Sequence, residues 1–181
     1  MIEKLKTVYH VSLEEARKHL RLDDDYIQDD NLIQAYIDAA HNIAENEILK
    51  DISKTTNVLT RHDYAGSVIR VNEGNLISIT SIEIQESETP LSNFNTFIYR
   101  DRFRIELDQE IDTEELTVTF QTGFDSGKCP PAIKTAILLK IEDLYGTLRG
   151  SFVMGGLTNT GAFEALLAPY KAAHVSTEPE N

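Results

Sequence analysis

Apolar positions three and four residues apart mark both ends of the chain as helical, while a period of two marks its middle as strands. Ile33, Tyr36, Ile37, Ala40, Ala44 and Ile48 line one face of a helix, and Asp29 and Asp30 sit at its positive end. A shorter helix precedes it, running to Leu20. There Ser12 followed by Glu15 reads as a capping box, with Val11 and Ala16 placed as a hydrophobic staple. Near the other end Pro130-Pro131 opens a helix, at a position where the missing proline donor costs nothing. Its apolar face carries Ile133, Ala136, Ile137, Ile141, Leu144, Tyr145 and Leu148, extended by the stem of Lys140, and Gly150 suits its stop. Thr160 is placed to cap a last short helix through Leu167, which Pro169 ends.

From Thr56 to Thr122, β-branched residues dominate Val58-Leu59-Thr60, Val68-Ile69-Arg70-Val71 and the run from Leu76 to Ile84. Phe103 to Leu107 and Leu116 to Phe120 alternate as well. Asn72-Glu73-Gly74-Asn75 and Tyr99-Arg100-Asp101-Arg102 read as hairpin turns. The expected fold is α+β, a helical scaffold from both chain ends with an inserted small antiparallel β-sheet or sandwich. Residues 1–175 form a single domain on this reading, with helical segments at 1–52 and 129–175, the β insert at 56–124, and a flexible tail at 176–181.

Length and composition narrow the function. A chain of 181 residues supports one substantial core, or one core with a small satellite, but not two ordinary domains. Seventeen basic against thirty acidic residues give a formal charge of −13, which argues against gripping phosphates or anionic lipid. The single Cys129 cannot form an intramolecular disulfide. The first residues lack the apolar stretch of a secretory signal, and no segment approaches the roughly 20 apolar residues of a membrane span.

Candidate chemistry is sparse. The aspartates from Asp23 to Asp30 suggest a hard-cation loop, but the EF-hand pattern breaks at Ile27 and Gln28 and leaves a solvated turn with helix-capping acids. Gly156 to Gly161 has the glycine spacing of a phosphate loop, yet Ala162 and Phe163 replace the lysine and hydroxyl that such a loop needs. Glu106, Asp108, Glu110, Asp112, Glu114 and Glu115 crowd one strand end. They read as an exposed sheet face, or alternatively as the carboxylate source of a ligand-binding or hydrolytic module. His10, His19, His41, His62 and His174 lack ligand spacing, and His19 and His41 read as helix-surface residues. Cys129 reads as a buried or half-buried small residue, since the following prolines remove the donors that would activate it. No catalytic residue, cofactor or metal set follows from the sequence.

The chain resembles the head-tail connector, or head-completion, proteins of long-tailed phages and prophages, also described as DNA-packaging proteins. Val11 to Leu22 is similar to that family's opening helix, and Asp29 to Ile33 with Ala39-Ala40 to the start of its second. Cys129 to Leu139, Leu144-Tyr145 ahead of Arg149, and Leu166 to Lys171 echo its C-terminal region. The middle resembles longer members that carry a β insert. The resemblance implies a non-catalytic structural subunit of the virion neck, assembled in the host cytoplasm as a ring of copies below the portal. Its partners would be itself, the portal and the next connector or tail protein, with no membrane. DNA would pass through without sequence-specific binding. A ring needs two different sticky patches per subunit. The candidates are the helix face with Ile133, Ile137 and Tyr145, and the arm Phe152, Val153, Met154 and Leu157.

Overall fold

The structure, a computed structural model, describes residues 2–23, 25–85, 87, 90–99, 101–149 and 161–172, with the side chains of 147–149 set aside. The elements run β1 (Ile2–Val8), α1 (Leu13–His19), α2 (Asp30–Ile48), β2 (Lys54–Val71), β3 (Leu76–Ile84), β4 (Phe94–Ile98), β5 (Phe103–Thr122), α3 (Pro131–Arg149) and α4 (Ala162–Leu167), closing in a 3₁₀ turn at Ala168–Tyr170. The fold is α+β, as the periodicity requires.

The helices enclose one core. All six apolar positions read on α2 are buried, and they meet Ile133, Ala136, Ile137 and Ile141 of α3. Val11, Ala16, Phe163 and Leu167 belong to the same core. Both halves of the capping box form: Ser12 Oγ accepts from the Glu15 N–H at 3.2 Å, and the Ser12 N–H donates to Glu15 Oε2 at 3.1 Å. Gly161 stands at the N-cap of α4 with φ 62°, whereas Thr160, the expected cap, lies outside the described residues, as do Gly150 and the tail 176–181.

The strands form a second core around Ile69, Ile82, Phe103, Ile105, Leu116, Val118 and Phe120. β5 is central. It pairs antiparallel with β2 along one side and with β3 and β4 along the other, and β1 pairs with β2. Strand β1 was not legible in the sequence: the segment 1–52, expected to be helical, gives up Ile2–Val8 to the sheet, and its helices start at Leu13. The turn Tyr99 to Arg102 is a hairpin, closed by the Tyr99 N–H on Arg102 O at 2.8 Å.

Asn72 to Asn75 is not a hairpin. Val71 pairs with Phe103 while Leu76 pairs with Thr122, the opposite end of β5. A straight β5 would separate those ends by roughly 60 Å at ~3.3 Å per residue, yet the steps from Val71 to Leu76 reach at most about 18 Å. The β2–β5 ribbon must therefore fold back on itself. The edge-on rings of Phe103 and Phe120, on one strand and 5.1 Å apart, are the result. The corner lies where Gly66 pairs with Ile111 but Val68 pairs with Glu106, so that Ser67 alone opposes Leu107 to Glu110. Gly66 has φ 143° there, and the bulge supplies the bend.

The two cores are joined at residues 50–53. Glu45 Oε1 accepts the Ile52 and Ser53 N–H groups at 3.0 and 2.8 Å, and Lys6 of β1 reaches its other oxygen at 2.5 Å. Asp51, buried, accepts from Thr122 Oγ1 at 2.5 Å and from Lys4 at 3.1 Å. Gly123 continues β5 into this joint, its N–H on Asn75 O at 3.0 Å, and Phe124 N–H donates to Ile52 O at 3.1 Å.

Candidate assembly surfaces

Among the described residues the acidic strand end does not draw Glu106 or Asp108 into one cleft with Glu114. Leu107, Ile111 and Thr113 are buried while Asp108, Glu110, Asp112 and Glu114 are exposed, which is the alternation of a one-sided sheet. The depression beside Asp108 is lined by Ser87, Pro90, Leu91, Asn93 and Leu107 among others, and the one beside Glu114 by Asp63, Asp112 and Thr113. They share no residue. Glu106 is turned to Arg104, 2.8 Å away.

The acidic turn is likewise occupied internally. Asp29 accepts from Tyr26 and Tyr145 hydroxyls at 3.1 and 2.8 Å, and Asp30 pairs with Arg17 at 3.0 Å. Among the described residues no three histidine, cysteine or carboxylate side chains converge as metal ligands. None of the described helices is long and apolar enough to cross a membrane. Of the phosphate-loop segment, Phe163 is buried under the Lys140 ammonium, 4.5 Å from its ring centroid, and residues 151–160 lie outside the described residues.

His41 corrects the sequence reading. It is not on the helix surface but fully buried, because the chain from β1 to α1 folds over it. Its Nδ1–H donates to Ile37 O at 2.8 Å, and its Nε2 accepts the His10 N–H at 3.1 Å. Tyr9 packs edge-on against the ring at 4.9 Å. Burial pushes its pKa below the usual histidine value. His19 is half-buried and faces Glu142 at 3.2 Å. Burial raises the Cys129 thiol to about 11, so it is no activated nucleophile.

The interface residues read from the sequence fare unevenly. Ile133 and Ile137 are 0% exposed, consumed by α2 inside the helical core, and so present nothing to a neighbour. Tyr145 is half-buried and tied to Asp29. Phe152, Val153, Met154 and Leu157 lie outside the described residues.

Two surfaces that the sequence reading passed over carry apolar side chains instead. At the tip of the β4–β5 hairpin, Phe97, Ile98 and Tyr99 are 40%, 64% and 46% exposed. The Arg104 guanidinium lies 4.7 Å from the Phe97 ring centroid, and that of Arg102 5.8 Å from Tyr99. Three successive large apolar residues in a strand cannot all face one core, which was the available signal. At the start of α2, Ile27 and Leu32 are 66% and 41% exposed beside the exposed Asp23 and Asp25. The hairpin tip is anchored by a pair between Lys50 and Asp101, 2.5 Å apart with side chains 5% and 10% exposed.

A helical scaffold locked to a folded-back sheet, with large apolar side chains exposed at the hairpin tip, at the start of α2 and also at Leu5 and Leu49, defines an α+β protein whose distinctive features lie on its outside. Residues 10–93 match the family model for phage gp6-like head-tail connector proteins, a span that takes in α1, α2, β2 and β3 and bears out the resemblance read from the sequence. Nearly the whole chain shares its fold with a chain of the neck of an empty GTA particle computed with C6 symmetry, at a TM-score of 0.77 and 21% identity over 99% of this chain and 100% of that one. A chain of the virion of a native gene transfer agent particle aligns at 0.73 and 18% identity, covering 97% of each. A chain of the native GTA neck computed with C12 symmetry gives 0.73 and 18% over 99% of this chain and all of that one. A search of curated proteins finds no match.

Proposed function

We propose that this chain is a non-catalytic structural subunit of the neck of a phage, prophage or related particle. Copies form a ring below the portal, continue the DNA channel and offer their far face to the next connector or tail protein. The observation that carries this reading is a coincidence on one chain: the connector family match at residues 10–93 and the fold likeness to neck chains over 99% of its length. The C6 and C12 symmetry of those necks supports a closed ring of copies.

Charge fits passage rather than grip. A subunit of −13 with Asp108, Glu110, Asp112 and Glu114 exposed along β5 repels phosphates, so DNA slides without sequence-specific contact. Within this reading residues 1–175 act as one domain, because the joint at 50–53 ties the helical scaffold to the β insert. The test is the mass distribution of the purified chain by light scattering, alone and mixed with the candidate portal, with the mixture imaged by electron microscopy. A ring-sized species on the portal is the expected result. A strict monomer at every concentration and salt, indifferent to the portal, would sink the proposal.

A further inference from the structure

We propose that copies of this chain join head to tail through the basic, aromatic tip of the β4–β5 hairpin and the acid-rimmed apolar corner at the start of α2. The inference rests on the ring reading above and names the contact that builds it. The two surfaces match in chemistry. The tip offers Phe97, Ile98 and Tyr99 under the Arg102 and Arg104 guanidinium groups, and the corner offers Ile27 and Leu32 beside the exposed carboxylates of Asp23 and Asp25. Arg104 also holds Glu106 at 2.8 Å, so Arg102 is the more available cation. On a chain of −13 most surfaces repel their copies, and a basic tip is a place where a second copy is attracted.

Self-pairing of either surface would set arginine on arginine or aspartate on aspartate. Pairing of unlike surfaces avoids both, and an unlike, head-to-tail contact is what closes rings. Their placement suits this. α2 has 19 residues and so is roughly 28 Å long at ~1.5 Å per residue. The corner is fixed at its start by the Asp30–Arg17 and Asp29–Tyr145 contacts, and the tip is fixed at its far end by Lys50–Asp101. One rigid element therefore holds the two halves of the contact at its opposite ends. At physiological salt the screening length is about 8 Å, so remote repulsion fades while charges in contact still act.

The test uses the full chain at that salt in two charge-reversed forms, Arg102→Glu with Arg104→Glu and Asp23→Lys with Asp25→Lys, each checked for native circular dichroism. Sedimentation velocity is expected to find that either form alone needs at least a tenfold higher concentration than the unaltered chain to assemble. An equimolar mixture should recover assembly, because each reversed tip then meets a reversed corner in alternating copies. Recovery on mixing also excludes misfolding as the cause. Unimpaired assembly of either form alone overturns the contact and leaves the ring reading standing. Loss without recovery overturns the pairing, as does loss of portal binding with self-assembly intact, which would put the tip against a different protein. An unaltered chain that never assembles, with or without the portal, removes the ring reading and the contact with it.

Discussion

Gly123 is the residue where the joint between the two cores is most exposed to a single change. Its φ is 93°, and an added Cβ would lie within clash distance of Ser53 O, 2.8 Å from the Ser53 carbonyl carbon and 2.9 Å from Ile52 O. All three atoms are backbone, in a segment whose Ile52 and Ser53 N–H groups are held by Glu45 and whose Ile52 O accepts from the Phe124 N–H, so nothing nearby can swing aside. Gly127 is the matched control: its φ is 76°, and no atom lies within 4 Å of where its Cβ would be. Gly127→Ala therefore carries only the conformational cost, about 1 kcal/mol. Gly123→Ala adds displacement of the 52–53 backbone and loss of hydrogen bonds through it, for about 3 to 5 kcal/mol in all. For a chain of this size each kcal/mol moves Tm by roughly 2 to 4 °C, so the two variants should separate by several degrees in calorimetry. Urea unfolding followed by circular dichroism and by tyrosine fluorescence checks whether both cores report one transition. Equal losses in the two variants would refute the claim that contact with Ser53 makes glycine necessary at 123.

Breaking the buried Lys50–Asp101 pair from one side, by Lys50→Met or Asp101→Asn, is expected to cost about 3 kcal/mol, and the double variant less than the sum of the two; additive losses in urea denaturation would show that the pair does not anchor the hairpin. His41 has a folded pKa lowered from 6.5, so its contribution is fully present above that value and lost as pH falls below it toward the depressed folded pKa. His41→Asn should flatten the dependence of Tm on pH in that window. The Glu15 carboxyl, held below 4.5 by Lys134 and the Ser12 N–H, contributes stability that is lost only at lower pH, as it falls through the lowered value. With its thiol raised from 9.0 to about 11, Cys129 should react with a maleimide at pH 8 about 100-fold more slowly than a free cysteine, and at the free rate once the chain is unfolded in urea. Fast labelling of the native chain would contradict its burial.

The helical half was legible because its signals are local. The α2 stripe and the Ser12–Glu15 box lie within single elements, and burial follows the stripe position by position. β1 was not legible because its sense comes from afar: Lys4 and Lys6 look like solvated charges until Asp51, Glu73 and Glu45 arrive from more than 35 residues away. His41 was misplaced for the same reason, since the segment that covers it is not on its own helix. The interface reading erred in the opposite direction at Ile133 and Ile137, where an apolar stripe that looks sticky in isolation is used up by α2. The tip is illegible because nothing local shows that Phe97 and Ile98, just ahead of the turn at Tyr99, find no core to face, and Ile27 because it lies among acids that read as a solvated turn.

The fold-back of the β2–β5 ribbon links these observations. Without it, β2 and β5 would carry the far end of the β insert away from the helices, and surfaces there would swing on a long lever. The short link from Val71 to Leu76 returns that end to the joint, where Asp101 of the hairpin meets Lys50 just past the C-terminus of α2. The spacing of tip and corner is then set by the length of one helix and not by loops. Ring closure depends on the rotation relating one subunit to the next, and any slack in that spacing is multiplied around the ring. On the ring contact proposed above, fixing the two unlike surfaces to opposite ends of α2 keeps this error small, and weakening the Lys50–Asp101 anchor should broaden the distribution of ring sizes before it unfolds the subunit.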